Sequence, residues 1–281
     1  TGRYHTRFRT GLVEPFSAGP WGDQAIPPGL PTFPTLLREA GYSTSLVGKW
    51  HLGEHYPYVP FAQGFDEFIG FRTGHWINYW DPQFERNGKP YPLKGYITEA
   101  LTDLGIQFLR KQRQEPFFLY MAYNVPHTPW QAPARFWDQY RRMDIPKETA
   151  AAYALNGCLD EQVGRLLSQL DDLKLAEETI VLYLSDNGPN GQRFNCGLRG
   201  IKGSVYEGGT PAPLFIRWKN HLPANQKVDR IAAHIDVYPT LLDLCGVSAP
   251  KGPAVDGVSL APLLKGEAKS WPDRMLFTHA E

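Results

Sequence analysis

Four short apolar segments, separated by helical patterns, constrain the fold of this chain more than any other feature. They read as buried β-strands at residues 43–47, 117–123, 180–185 and 214–218. Amphipathic helical patterns occupy residues 35–40, 97–113, 150–170 and 236–244. Strands that alternate with helices need crossover connections, so the pattern predicts an α/β fold with a largely parallel sheet covered on both faces.

Length and composition narrow the class of protein. A chain of 281 residues with 42% hydrophobic content can bury a full core as one domain. Its 29 basic and 29 acidic residues cancel, which argues against nucleic acid as a partner. No apolar run reaches the roughly 18 residues of a membrane span. The three cysteines, Cys158, Cys196 and Cys245, form no Cys-x-x-Cys pair, so neither a disulfide framework nor a zinc knuckle is predicted.

Polar residues follow the first predicted strand, at the end where sheets of this kind bind ligands. They are Lys49 and His51, separated by Trp50. If the chain stays extended there, Lys49 and His51 share one side and offer two cationic donors, while Trp50 packs inward. Taken alone, the motif is better explained by an exposed lysine beside a structural histidine.

The second strand runs into a loop in which Pro126 and Pro129 flank His127. Two prolines stiffen such a loop, which suits a positioned imidazole. An imidazole holds or gives a proton near neutral pH, so His127 could protonate a leaving oxygen. A loop histidine whose prolines only shape a turn explains this motif equally well.

The third strand ends in Asp186-Asn187-Gly188, which places a carboxylate and an amide oxygen side by side. Calcium and magnesium prefer oxygen ligands of this kind, whereas zinc favours nitrogen or sulfur. Calcium fits best, because it tolerates irregular geometry. The same residues are also ordinary turn formers, and two ligands do not complete a metal site.

A glycine-rich loop at residues 197–209 carries Lys202 with little bulk around it. The lysine could approach a charged ligand closely, but the loop lacks the spacing of a nucleotide-binding loop. A solvated loop is the alternative interpretation.

Together and in this order, these segments resemble the sulfatase family. Residues 41–51, Gly-Tyr-Ser-Thr-Ser-Leu-Val-Gly-Lys-Trp-His, resemble the second of the family's two signature motifs. Similar residues also occur in sulfatases at Pro126-His127, Asp186-Asn187-Gly188, residues 198–209 and residues 256–260. The resemblance covers nearly the whole chain and implies an alkaline-phosphatase-like three-layer α/β/α fold with a largely parallel central sheet.

The resemblance implies a sulfuric ester hydrolase and assigns roles to six residues. They are Lys49, His51 and His127 as catalytic residues, Lys202 as a substrate-binding residue, and Asp186 and Asn187 as ligands of Ca²⁺, with Mg²⁺ less favoured. The two lysines would hold sulfate oxygens, and His127 would protonate the leaving alcohol. His51 would contact the nucleophile, a formylglycine hydrate made from cysteine or serine.

Two family features are absent from this sequence. In the family, a Cys/Ser-x-Pro-x-Arg motif carries the nucleophile a short way before a Thr-Gly-Arg, and this chain starts at Thr1-Gly2-Arg3. The paired aspartates that complete the family's calcium shell are missing too, and Pro211 replaces an arginine common in relatives. We therefore expect the nucleophile upstream of Thr1. Residues 1–270 would be the central part of a catalytic domain, inactive alone, and residues 271–281 the start of a truncated C-terminal subdomain.

Two other functions fit the same residues. One is hydrolysis of phosphate or phosphonate esters on the same scaffold, and the other is non-catalytic anion binding. A small-molecule or carbohydrate sulfate ester is the expected substrate. The aromatic residues Trp76, Tyr79, Trp80 and Trp130 would stack on a sugar or serve as packing, and His75 would line the pocket. The resemblance implies a periplasmic, extracellular or lysosomal location.

Overall fold

The computed structural model of the protein describes residues 1–8, 25–111, 114–249, 252–268 and 270–278. The strands are β1 (Ser43–Lys49), β2 (Glu67–Phe71), β3 (Gln83–Arg86), β4 (Lys89–Pro92), β5 (Phe117–Ala122), β6 (Val181–Leu184) and β7 (Leu214–Arg217). The α-helices are α1 (Phe33–Glu39), α2 (Ile97–Arg110), α3 (Ala134–Tyr140), α4 (Lys147–Asp172), α5 (Val237–Leu244) and α6 (Ala261–Leu264). Among the described residues, no helix combines the length and apolar character needed to cross a bilayer.

The central sheet has five strands in the order β4-β3-β2-β1-β5. Strand β1 lies between β2 and β5 and is parallel to both, with Val47 opposite Ile69 and Met121. The carboxyl ends of these three strands therefore meet at one edge of the sheet. Strands β3 and β4 extend the other side as an antiparallel hairpin, and β6 and β7 form a separate antiparallel pair.

Successive residues of β1 face opposite sides of the sheet, as the pleat requires. Val47 packs into the largest core cluster with Leu101 of α2 and Leu155 of α4. Leu46 packs on the other face with Trp50 and Phe68. On this face, α1 contributes Phe33, whose ring meets Phe118 edge-on at 5.1 Å between centroids. Helices thus cover both faces, as the sequence pattern predicted.

All four predicted strands and all four predicted helices are present, with shifted bounds. Strand β1 continues two residues beyond its predicted end, to Lys49, and α4 is longer at both ends. Residues 112 and 113, at the predicted end of α2, lie outside the described residues. Burial was predicted wrongly for β7, where Phe215 is 66% exposed.

The β3–β4 hairpin was missed because its strands are short and polar. Its turn nevertheless carries a sequence signal, since Asn87-Gly88 is the pair that tight hairpin turns prefer. Both residues adopt positive φ, 46° and 85°.

The Asp256-Gly257 segment, one of those resembling sulfatases, anchors the start of the chain. The backbone N–H groups of both residues donate to the Gly2 carbonyl, at 2.9 and 3.0 Å. The Asp256 carboxylate accepts from the Tyr4 N–H at 3.0 Å and from the Arg7 guanidinium. These contacts join residues far apart in the sequence, and they hold residues 1–8 against the body of the domain.

Glycine at position 48 allows the three parallel strands to approach. Gly48 lies opposite Gly70 on one side and Ala122 on the other. A Cβ on Gly48 would fall 2.1 Å from the Ala122 carbonyl oxygen, and one on Gly70 would fall 1.9 Å from the Gly48 oxygen. Gly48 also has a φ of 121°, a backbone conformation that residues other than glycine rarely adopt.

Gly48→Ala should lower the free energy of unfolding by about 3 kcal/mol or more, because it combines backbone strain with a collision between strands. Urea denaturation measures the change. The control is Gly164→Ala on α4, where a Cβ meets nothing within 4 Å and helix propensity should raise stability by up to about 1 kcal/mol. Equal stability of Gly48→Ala and the wild type would contradict this account.

Candidate active site

Strand β1 brings Lys49 and His51 to the edge of the sheet where three parallel strands end. The strand stops at Lys49, and His51 adopts φ of 59°, so the chain is not extended through His51 as the sequence argument assumed. The N–H groups of Trp50 and His51 donate to the carbonyls of Phe71 and Arg72, both at 3.0 Å. Trp50 is buried, as predicted, whereas Lys49 and His51 are half-buried.

A glycine makes room for the His51 ring. A Cβ on Gly74 would lie 2.2 Å from His51 Nε2. The next residue, His75, has its ring centroid 6.4 Å from that of His51 and 4.8 Å from that of His127. Three imidazoles from three separate segments therefore cluster at this edge.

Hydrogen bonds to its backbone and to its ring hold His127 in place. Its N–H donates to the Asn124 carbonyl at 3.0 Å, and the Tyr79 hydroxyl donates to the His127 carbonyl at 2.7 Å. The ring Nδ1 lies 2.8 Å from the Thr128 carbonyl oxygen. Because a carbonyl only accepts, Nδ1 carries a proton, and a proton delivered to another molecule would come from Nε2.

Burial is the main cause that lowers the pKa of the His127 imidazole below its ordinary value. Positive charge on Lys49, Lys202 and His75 lowers this pKa further, against the opposing effect of the hydrogen bond to Thr128. A lower pKa makes the imidazolium a stronger acid. This effect of charge indicates that Lys49 and Lys202 both lie close enough to His127 to affect its ionisation.

The glycine-rich loop folds against the turn that follows β6. The Lys202 N–H donates to the Pro189 carbonyl, and the Gly188 N–H donates to the Gly209 carbonyl, both at 2.9 Å. A Cβ on Gly188 would lie 2.2 Å from the Gly208 oxygen, so the two backbones touch. Two segments that the sequence analysis singled out separately therefore form one unit.

Asp186 and Asn187 present oxygen atoms at this turn. Asn187 Nδ2 donates to the Gly188 carbonyl at 2.8 Å, which leaves its Oδ1 available as a ligand. Asp186 is exposed, and its carboxylate accepts no hydrogen bond from any described residue. This pair suits a hard divalent cation but fills only two of the six to eight positions of calcium. No cluster of three or more His, Cys, Asp or Glu that could hold a metal occurs in the described ranges.

Several supporting residues escaped the sequence analysis. Asn124, beside His127, is buried, and neither atom of its amide has a hydrogen-bond partner within the described residues. His234 Nε2 lies 2.8 Å from the Ser185 carbonyl, just before Asp186. Tyr79, named as a possible sugar-stacking residue, is fully buried and instead holds the His127 loop. These contacts join distant segments and leave no local sequence signal.

Lys202→Met should raise the pKa of His127, because it removes a positive charge that disfavours the imidazolium. NMR titration of the His127 ring protons measures this pKa in the folded protein. Lys227→Met is the matched control and should leave the pKa unchanged, since Lys227 is exposed and pairs with Asp229. A pKa that stays constant or falls in Lys202→Met would refute the placement of Lys202 beside His127.

Comparison with known proteins gives consistent matches. The family model described as Sulfatase matches residues 1–247. The uncharacterized sulfatase YdeN of Escherichia coli is 35% identical over 86% of this chain and 48% of its own length. Human N-acetylgalactosamine-6-sulfatase is 32% identical over 88% of this chain and 51% of its own length. The chain thus spans about half the length of these relatives.

A solved structure, that of Ps i-CgsB in complex with k-i-k-neocarrahexaose, aligns with a TM-score of 0.86 at 29% identity. The alignment covers 95% of this chain and 64% of that one. The shared fold is the alkaline-phosphatase-like α/β fold, with a mixed, mostly parallel central sheet, as predicted from the sequence resemblance. With a family model that covers most of its residues and relatives above 30% identity, this chain belongs to the sulfatase family.

Proposed function

We propose that the full-length protein containing this chain hydrolyses sulfate esters of carbohydrates. The observation that carries the proposal is the cluster of His51, His75 and His127 rings at the carboxyl ends of the parallel strands, with Lys49 and Lys202 near enough to lower the pKa of His127. Two lysine cations can bind the sulfate oxygens, and an imidazolium with a lowered pKa can protonate the ester oxygen as the S–O bond breaks. The k-i-k-neocarrahexaose bound in the Ps i-CgsB structure supports a carbohydrate as the alcohol part.

In the proposed reaction, Lys49 and Lys202 bind the nonbridging oxygens of the sulfate. An oxygen nucleophile bonds to sulfur while the bond from sulfur to the ester oxygen breaks. His127 Nε2–H protonates that ester oxygen, and the alcohol leaves. Negative charge grows on the leaving oxygen during this step, so fixed cations and a proton donor stabilise the transition state.

The proposed nucleophile is a formylglycine hydrate supplied by residues upstream of Thr1. His51 would contact it and assist its turnover. The position of Gly74 against the His51 ring supports this role, because the glycine lets the imidazole reach into the cluster. Phosphate ester hydrolysis remains the competing chemistry, since it uses a similar tetrahedral oxyanion.

Asp186 and Asn187 are the proposed protein ligands of a calcium ion, with carboxylates from outside this chain completing the shell. Their oxygen donors fit calcium, or less well magnesium, and do not fit zinc. Such an ion would supply positive charge to the sulfate oxygens and to the nucleophile. Hydrogen bonds link the turn at residues 186–189 to the glycine-rich loop that carries Lys202, and they would keep the metal ion beside this lysine.

His127→Gln in the full-length protein should lower kcat by about 10²- to 10⁴-fold on an alkyl or sugar sulfate. The loss should be smaller on 4-nitrophenyl sulfate, because 4-nitrophenolate leaves without needing a proton. His221→Gln, a histidine stacked on Trp218, is the control and should keep full activity. Equal losses of kcat on the sugar sulfate and on 4-nitrophenyl sulfate would rule out His127 as the proton donor. If the wild type hydrolysed 4-nitrophenyl phosphate faster than 4-nitrophenyl sulfate, phosphatase activity would be favoured.

Removal of calcium with a chelator should abolish the hydrolysis of sulfate esters, and calcium should restore it better than magnesium. Asp186→Asn should weaken calcium binding by about tenfold or more, because it removes a charged ligand. Calorimetric titration of the full-length protein measures the affinity. Asp229→Asn is the control, since Asp229 is exposed and pairs with Lys227. Activity that survives chelation would contradict a role for the metal.

A further inference from the structure

A cavity of about 280 Å³ adjoins the loop that follows His127 in the sequence. Its lining residues are Trp130, Gln131, Ala132, Trp137 and Ala151. The volume is close to the lower limit for small-ligand pockets, and it suits about one sugar ring with an apolar face against an indole.

Hydrogen bonds link the lining of the cavity to His127. Gln131 Oε1 accepts from the Tyr79 N–H at 2.9 Å, and Gln131 Nε2 donates to the Ile77 carbonyl at 3.1 Å. The Tyr79 hydroxyl donates to the His127 carbonyl at 2.7 Å. One buried tyrosine therefore holds both the cavity wall and the proposed proton donor. A ligand in the cavity would have a fixed position relative to the reacting bond.

The side chain of Arg193, from the loop that follows the proposed metal ligands, lies over the Trp130 ring. The Arg193 guanidinium carbon lies 5.0 Å from the centroid of the Trp130 ring, within the range of a cation–π contact. Arg193 Nε is buried and has no hydrogen-bond partner within the described residues. A buried donor without an acceptor is unfavourable, and an arginine in this state is suited to bind an anion. Arg193 lies in the loop between Asn187 and Lys202, both proposed site residues.

We propose that Trp130, Trp137 and Arg193 form a subsite for the sugar unit next to the one that loses its sulfate, and that Arg193 binds a second anionic group on that unit. This inference rests on the proposed function, because it places the subsite beside the sulfate-cleaving residues. The enzyme would then select sulfated oligosaccharides that carry a further sulfate or carboxylate.

The test measures kcat/KM of the full-length protein on four substrates. They are 4-nitrophenyl sulfate, a disaccharide with one sulfate, the same disaccharide with a second sulfate, and the same disaccharide with a carboxylate as its second anion. Arg193→Met should lower kcat/KM about tenfold or more on whichever doubly anionic substrate the wild type prefers. On 4-nitrophenyl sulfate and on the disaccharide with one sulfate, the same variant should change kcat/KM less than twofold. The preferred substrate identifies the anion as sulfate or carboxylate.

Two further variants separate the parts of the subsite. Ala151→Leu fills the cavity. It should lower kcat/KM on both singly and doubly anionic disaccharides and leave kcat/KM on 4-nitrophenyl sulfate unchanged. Arg86→Met is the matched control, because Arg86 also stacks on an aromatic ring, that of Tyr91, but lies on β3, away from β5 in the sheet. It should behave as the wild type on all four substrates.

Two results would overturn the subsite. If Arg193→Met has the same kcat/KM as the wild type on singly and doubly anionic disaccharides, the subsite is wrong. That result would not contradict sulfate ester hydrolysis. A wild-type protein that hydrolyses none of the sulfate esters would overturn the proposed function and the subsite with it.

Discussion

The parallel pairing of β1 with β2 and β5 is the constraint on which the rest of the structure depends. It aligns the carboxyl ends of the three strands, so Lys49 and His51 emerge next to the loop that carries His127. Glycines at positions 48 and 70 permit this spacing, since a side chain at either would strike a neighbouring backbone. The proposed chemistry is therefore a consequence of how closely these strands can pack.

Positive charge is concentrated locally in a protein with no net charge. Burial lowers the pKa of the half-buried His127, and positive charge on Lys49 and Lys202 lowers it further. Cations held close together repel one another until an anion binds between them, which favours a negatively charged ligand. The nearby oxygens of Asp186 and Asn187 would hold a divalent cation rather than neutralise the lysines directly.

Much of this arrangement could be predicted from sequence, because strands with continuous apolar residues and polar ends leave a local signal. That signal located β1, β5 and β6 together with the residues that follow them. It missed β2 and the short polar strands β3 and β4, and it located β7 but wrongly predicted that strand to be buried. Contacts between distant segments, such as Arg193 on Trp130 or Tyr79 on the His127 loop, have no local pattern and required the structure.

In the proposed function, residues from four segments converge on one sulfate. A crystal structure of the full-length protein with calcium and inorganic sulfate tests it most directly. We expect a calcium ion about 2.3–2.6 Å from oxygens of Asp186 and Asn187. We also expect sulfate oxygens within hydrogen-bond reach of the lysine ammonium groups at positions 49 and 202 and of His127 Nε2. Sulfate bound elsewhere, with these side chains directed to separate surfaces, would contradict it.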